Sequence, residues 1–169
     1  MKAQQMHDYI IKPALEYMQG NYDSKNARML LLATAAIESY CGKYIKQVNG
    51  PVLGIFQMEP ITDDDIWSHC DALFGDLGEI IGRLSLYDFS QENTLFHNHS
   101  DLVVSPLYAC AMARLKYSMD SQPLPAHNDK EAIYEYYKRI YNTEHGKSTY
   151  SKFIDAWDYC DLDDINLGE

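Results

Sequence analysis

Between Lys25 and Cys41 the chain has neither Pro nor Gly, and from Met29 to Ile37 only Thr34 interrupts an apolar run. Asp23 or Ser24 offers an N-cap and Gly42 a stop, so this stretch predicts a helix. Apolar side chains cover every face of it, which implies packing on all sides. Helical spacing also predicts helices over Ala3 to Gln19 with an interruption at Pro13, Thr62 to Phe74, Leu77 to Leu86, Ser105 to Met119, Asp129 to Tyr141 and Thr149 to Tyr159. Strand signals are few, apart from a short extended piece at Gln47 to Phe56. The expected fold class is mainly α, with at most a short β element. With 169 residues, 46% of them hydrophobic, and no linker or repeat, residues 1–169 are expected to form one domain.

Charge narrows the function classes. There are 25 acidic and 14 basic residues, a net charge of −11, and no basic block. Nucleic acid and anionic membrane surfaces are therefore not expected as partners. No apolar stretch reaches the length needed to span a bilayer.

Glu38 stands near the end of the apolar helix. Burial disfavours an ionised carboxyl, and the negative end of a helix does the same, so both raise its pKa. A Glu that keeps its proton near neutral pH can donate it to a leaving oxygen. The rival reading is a partly exposed polar residue where a buried helix surfaces.

The segment that follows shifts the balance. Glu38-Ser39 closes the apolar helix, Gly50 falls in a turn, and Gly54-Ile55-Phe56-Gln57 is followed by Met58, Pro60 and Thr62. In this order the residues resemble the soluble lytic transglycosylases and their phage relatives in the lysozyme-like superfamily. Tyr141-Asn142 with Gly146 loosely resembles a further element of that family, Tyr-Asn-Ala-Gly. The chain departs from the pattern in a turn longer by one residue, in Phe56 for a motif Met, and in Glu59 where a second Met is common. The likeness covers residues 25–62 well and 101–146 loosely, and residues 63–100 carry none of it.

The resemblance implies a goose-lysozyme-like or transglycosylase-like domain that cleaves the β-1,4 bond between N-acetylmuramic acid and N-acetylglucosamine in peptidoglycan. It implies Glu38 as catalytic acid and then base, Ser39, Gly54, Gln57, Tyr141 and Asn142 as substrate-binding residues, and no metal or cofactor. Two glycines would let backbone approach a sugar, and the Gln57 amide offers both donors and acceptors. Most glycosidases use two carboxylates. None lies between Glu38 and Glu59, which fits a family whose single Glu suffices because the substrate's own 6-hydroxyl replaces water. Hydrolysis remains open, with Glu59 or one of Asp63, Asp64 and Asp65 as second group, although those aspartates are explained as first-turn acids facing a helix dipole. A non-catalytic phage structural protein of the same fold is the alternative from another class.

The remaining features add little chemistry. In the Tyr-rich run, Ile133, Tyr137, Ile140 and Tyr141 fall at core spacing, leaving Tyr134 and Tyr136 freer to serve a cleft. Cys41, Cys70, Cys110 and Cys160 lack ligand spacing and read as free, buried thiols. His97-Asn98-His99 reads as a polar loop. Met1 to Tyr9 shows no secretory pattern, so the expectation is a protein made in a host cytoplasm that reaches the cell wall or periplasm by phage release or inside a virion. Its expected partners are peptidoglycan strands and, for a virion protein, other virion components.

Overall fold

The computed structural model describes residues 1–47, 49–85, 98–143 and 146–168. It opens with α1 (Ala3–Met6), a π turn (His7–Ile11) and α2 (Lys12–Met18). Pro13 has no N–H to return to the turn before it, and the wider π turn absorbs that mismatch, with the Lys12 N–H reaching the His7 carbonyl. The expected interruption at Pro13 is thus a change of pitch. A 3₁₀ turn (Gly20–Tyr22) leads to α3 (Lys25–Ser39), where the Ser24 hydroxyl accepts the Ala27 N–H at 3.1 Å.

Next come α4 (Pro60–His69), a 3₁₀ turn (Asp71–Phe74) and α5 (Asp76–Gly82). The single helix expected from Thr62 to Phe74 is broken at Cys70, whose extended backbone turns both Cys70 and Leu73 into the core. After a short α6 (Asp101–Val104), α7 (Pro106–Ser118), α8 (Lys130–Tyr137) and α9 (Tyr150–Tyr159) complete the set, with a π turn (Lys138–Asn142) ending α8 and a final 3₁₀ turn (Leu162–Asp164). Ser105, Asp129 and Thr149, expected as the first residues of their helices, instead cap them, each accepting a backbone N–H. Leu86 and His97 lie outside the described residues. The protein is mainly helical. Among the described residues the extended piece amounts to two isolated antiparallel bridges, Lys46 with Leu53 and Leu53 with Met58.

Helix α3 is buried along its length from Ala27 to Ala36. It packs against α1, α7, α8 and α9. Leu30, Leu31 and Leu32 are each at most 1% exposed, and burial of such a side chain contributes about 2 kcal/mol. Arg28 is the charged exception. Its guanidinium donates to both Asp23 oxygens, at 2.7 and 2.6 Å, and to the Leu167 carbonyl at 2.6 Å, which ties the end of the chain to the start of α3.

A second polar group fixes α4. Asp63, expected as a first-turn acid, is in the first turn but is fully buried. It accepts the Tyr108 hydroxyl at 2.9 Å and lies 3.1 Å from His99 Nδ1, while Trp67 Nε1 donates to the same Tyr108 hydroxyl at 2.9 Å. This network anchors α4 to α7.

The segment between α3 and α4 returns to the end of α3 through Gly54. There φ is +74°, and a Cβ would meet the Leu102 carbonyl oxygen at 1.8 Å. At Gly50 the atoms a Cβ would meet first belong to the Gln47 side chain, which can move aside. Gly54→Ala should therefore cost about 3 kcal/mol or more in urea unfolding, and Gly50→Ala under about 1 kcal/mol. Equal costs would show that the close approach to Leu102 does not constrain the loop.

Candidate active site

Helix α3 ends in three successive left-handed residues, Tyr40, Cys41 and Gly42, with φ of 51°, 54° and 78°. The Tyr40 N–H returns to the Ala36 carbonyl at 2.9 Å and the Cys41 N–H to Ala35 at 3.0 Å. The stop expected at Gly42 thus begins two residues earlier, and Glu38 lies in the last turn of the helix. Its carboxylate oxygen Oε1 accepts the Tyr137 hydroxyl at 2.6 Å. Burial pushes the Glu38 pKa up to about 7, against the opposing effect of that hydrogen bond, which favours the charged form. Tyr137 is pushed above its ordinary range by its own burial first and by the Glu38 charge second.

Tyr137 belongs to a layer of aromatic rings. Tyr137 and Tyr141 stack with centroids 6.2 Å apart, and Tyr117 lies 5.5 Å from Tyr141. The Tyr117 hydroxyl in turn meets Thr34 Oγ1 of α3 at 2.7 Å. Tyr137 and Tyr141 are four positions apart, so the helix presents both on one side even as it widens into its terminal π turn.

Glu38 opens onto a cleft of about 650 Å³. The α3 end and the segment carrying Gln57, Glu59 and Thr62 line it, together with the π turn after α8 and Gly146, Lys147, Ser148 and Lys152. Gln57, Tyr141 and Asn142 line this cleft with Glu38. Gln57, at φ 46°, donates through Nε2 to the Gly54 carbonyl at 2.6 Å. The Tyr141 hydroxyl donates to the Phe56 carbonyl at 2.9 Å, joining the two walls. Asn142 Oδ1 accepts from Lys138 Nζ and from the Ser148 hydroxyl, both at 2.7 Å.

Two expected substrate-binding residues are corrected. Ser39 is fully buried, and its hydroxyl meets the Ile55 carbonyl at 2.5 Å while accepting the Gly42 N–H at 2.9 Å. It fastens the loop to the helix end and does not line the cleft. Gly54 is also buried, and the close backbone approach it permits is to Leu102 rather than to a sugar. Its N–H donates to the Ile45 carbonyl at 2.8 Å.

Nor do Tyr134 and Tyr136 reach the cleft. Tyr134 packs against Phe153 at 5.3 Å, and Tyr136 donates to the Gln122 carbonyl at 3.2 Å. Tyr137, expected as core, is both core and partner of Glu38. Of the acids weighed as a second catalytic group, Glu59 lines the cleft, whereas Asp63, Asp64 and Asp65 do not. The sequence reading also missed Lys116, Lys147, Ser148 and Lys152 on the walls.

All four cysteines are buried free thiols. Among the described residues no His, Cys, Asp and Glu side chains gather into a possible metal site, and no helix is long and apolar enough to cross a membrane. Comparison with protein-family models, with characterised proteins and with solved structures finds no match to this chain.

Burial of Glu38 has a consequence for stability. Its folded-state pKa of about 7 lies above the reference 4.5. The folded protein therefore holds this proton more tightly than the unfolded chain, and the stabilisation this gives is complete below pH 4.5 and lost as pH rises through 7. Glu38→Gln, which cannot ionise, should be more stable than the wild type above pH 7 by roughly 2 to 3 kcal/mol, a gain that vanishes below pH 4.5 in urea unfolding across pH. Identical pH profiles would contradict a carboxyl held near neutrality.

Proposed function

We propose that the protein is a peptidoglycan lytic transglycosylase of lysozyme-like fold, with Glu38 as its acid and then its base. The observation that carries this reading is a carboxyl lifted to about 7 that opens onto a cleft shared with Gln57, Tyr141 and Asn142. The order of those residues along the chain is the one found in that family, and the mainly helical architecture agrees with it. The same reading places the protein in a phage, acting on the host wall from a virion or at lysis.

The chemistry follows from one acid. Protonated Glu38 donates its proton to the glycosidic oxygen as the bond from the anomeric carbon of N-acetylmuramic acid breaks. The Glu38 carboxylate then takes the proton of the 6-hydroxyl of the same ring as that oxygen attacks the anomeric carbon. An anhydro ring closes, and Glu38 regains its proton. Tyr137 holds the carboxyl in one orientation throughout, through its 2.6 Å hydrogen bond. Gln57 and Asn142 supply amide groups for the sugar's N-acetyl and hydroxyl substituents, on walls that Tyr141 ties together.

One observation favours a second reading. Glu59 is exposed on the same cleft, and a carboxylate there could hold a water for hydrolysis. The products separate the two. Transglycosylation leaves muropeptides lighter by one water that borohydride does not reduce, whereas hydrolysis leaves reducible ends and would make activity depend on Glu59. A non-catalytic structural protein would clear no peptidoglycan at all.

Zymography with purified peptidoglycan should show clearing by the wild type and loss of at least about a hundredfold in Glu38→Gln, with an unchanged circular dichroism spectrum. Wild-type turnover in that variant would end the reading. On soluble strands, activity should fall on the alkaline side with an apparent pKa near 7, since the acid must carry its proton. A rate that stays flat to pH 9 would mean that Glu38 does not donate.

A further inference from the structure

Two of the four free thiols face each other. Cys41 follows the end of α3, Cys160 ends α9, and these two helices pack against each other. The residues beside the pair hold the two helix ends together. The rings of Tyr40 and Tyr159 meet edge to face with centroids 5.0 Å apart, and Lys43 Nζ donates to the Tyr159 hydroxyl at 3.2 Å. Both cysteine backbones are pinned as well, the Cys41 N–H to the Ala35 carbonyl and the Cys160 N–H to the Ala156 carbonyl, each at 3.0 Å. Between these fixed ends the Cys41 S–H donates to the Cys160 sulfur.

That hydrogen bond makes the two thiols unequal. Donating to its neighbour holds Cys41 above the ordinary thiol range, and burial adds to the effect. Accepting holds Cys160 below that range, against its own burial and the Asp161 carboxylate. Exposure runs the same way, at 0% for Cys41 and 8% for Cys160. Cys160 is therefore both the readier nucleophile and the easier sulfur to reach. A metal fits the pair poorly, since two sulfurs are half of a tetrahedral site and no further His, Cys, Asp or Glu joins them among the described residues.

We propose that Cys41 and Cys160 form an oxidisable dithiol site, closed to a disulfide by exchange with a small disulfide compound of the glutathione kind. The inference stands apart from the glycan-cleaving reading of the cleft. In the first step the Cys160 thiolate attacks one sulfur of the oxidant, forming a mixed disulfide and expelling one thiolate. The expelled thiolate takes the Cys41 proton. Cys41 then attacks the Cys160 sulfur, the bond between the two cysteines forms, and the second half of the oxidant leaves as a thiolate that takes up the proton Cys160 gave up on ionising. Two protein thiols are oxidised and one disulfide is reduced to two thiols. The new bond staples the end of α3, three residues beyond Glu38, to the end of α9, and it restricts the unfolded chain through a long closed loop. Disulfides persist in oxidising compartments and thiols stay reduced in the cytosol, so the staple separates a chain still in the cytosol from one that has left it.

The test incubates the folded full-length protein with mixtures of oxidised and reduced glutathione, alkylates the remaining thiols with iodoacetamide and maps the peptides by mass spectrometry. As the mixture becomes more oxidising, the alkylated cysteines should fall from four to two, with the peptides of Cys41 and Cys160 joined. Cys41→Ala should trap glutathione on Cys160, because the resolving thiol is gone. The linked protein should unfold at a higher urea midpoint than the reduced one, a difference that Cys160→Ala removes. The wild-type map needs no substitution and decides the matter even if the variants fold poorly. Four alkylated cysteines at every ratio, glutathione that persists on wild-type Cys160, or a bond to Cys70 or Cys110 instead would overturn the inference. So would a linked protein with the midpoint of the reduced one. Clearing of peptidoglycan, present or absent, bears only on the glycan-cleaving reading.

Discussion

A carboxyl group taken out of water at the end of a buried helix is the constraint on which the rest of the cleft depends. Helix α3 is apolar on all sides, so neighbours surround it and its polar end emerges among them rather than in solvent. A carboxyl there either keeps its proton or needs donors. Here it has one donor, Tyr137, and remains lifted to about 7. Taking away the apolar packing of α3 would return Glu38 to water and to an ordinary pKa.

Around that group the structure separates holding from contacting. Ser39 and Gly54 never reach the cleft, yet they place the segment that does. The Ser39 hydroxyl fastens Ile55 to the helix end, and Gly54 lets the chain pass against Leu102, which leaves Gln57 on the wall. On the opposite side the rings of Tyr117, Tyr137 and Tyr141 form a rigid layer whose hydroxyls bridge to Thr34, Glu38 and the Phe56 carbonyl. A short motif can therefore be read as a set of ligand contacts when half of it is scaffolding.

Helices were legible in the sequence because capping residues and apolar spacing are local signals. Ser24, Ser105, Asp129 and Thr149 announced their helix starts. The disturbance at Pro13 was legible, though not that it takes the form of a π turn at His7–Ile11; the break at Cys70 and the π turn at Lys138–Asn142 carry no Pro or Gly to mark them. Glu38, Gln57, Tyr141 and Asn142 could be found from order and spacing. Tyr137 could not, because a tyrosine that is 1% exposed reads as core until its hydroxyl is seen on Glu38. Burial of Asp63 was hidden for the same reason: a first-turn acid usually faces solvent, and Tyr108 and His99, far along the chain, meet it inside. The lysines of the cleft lie on separate elements and share no pattern in sequence.

The chemistry proposed for the cleft requires Glu38 to carry a proton near neutral pH. The most direct measurement is a titration of its side-chain carboxyl carbon by NMR in the intact chain, assigned by comparison with Glu38→Gln. A midpoint near 7 is the predicted result. A midpoint at the ordinary value near 4.5 would contradict it, since the group would then be ionised at neutral pH with no proton to give.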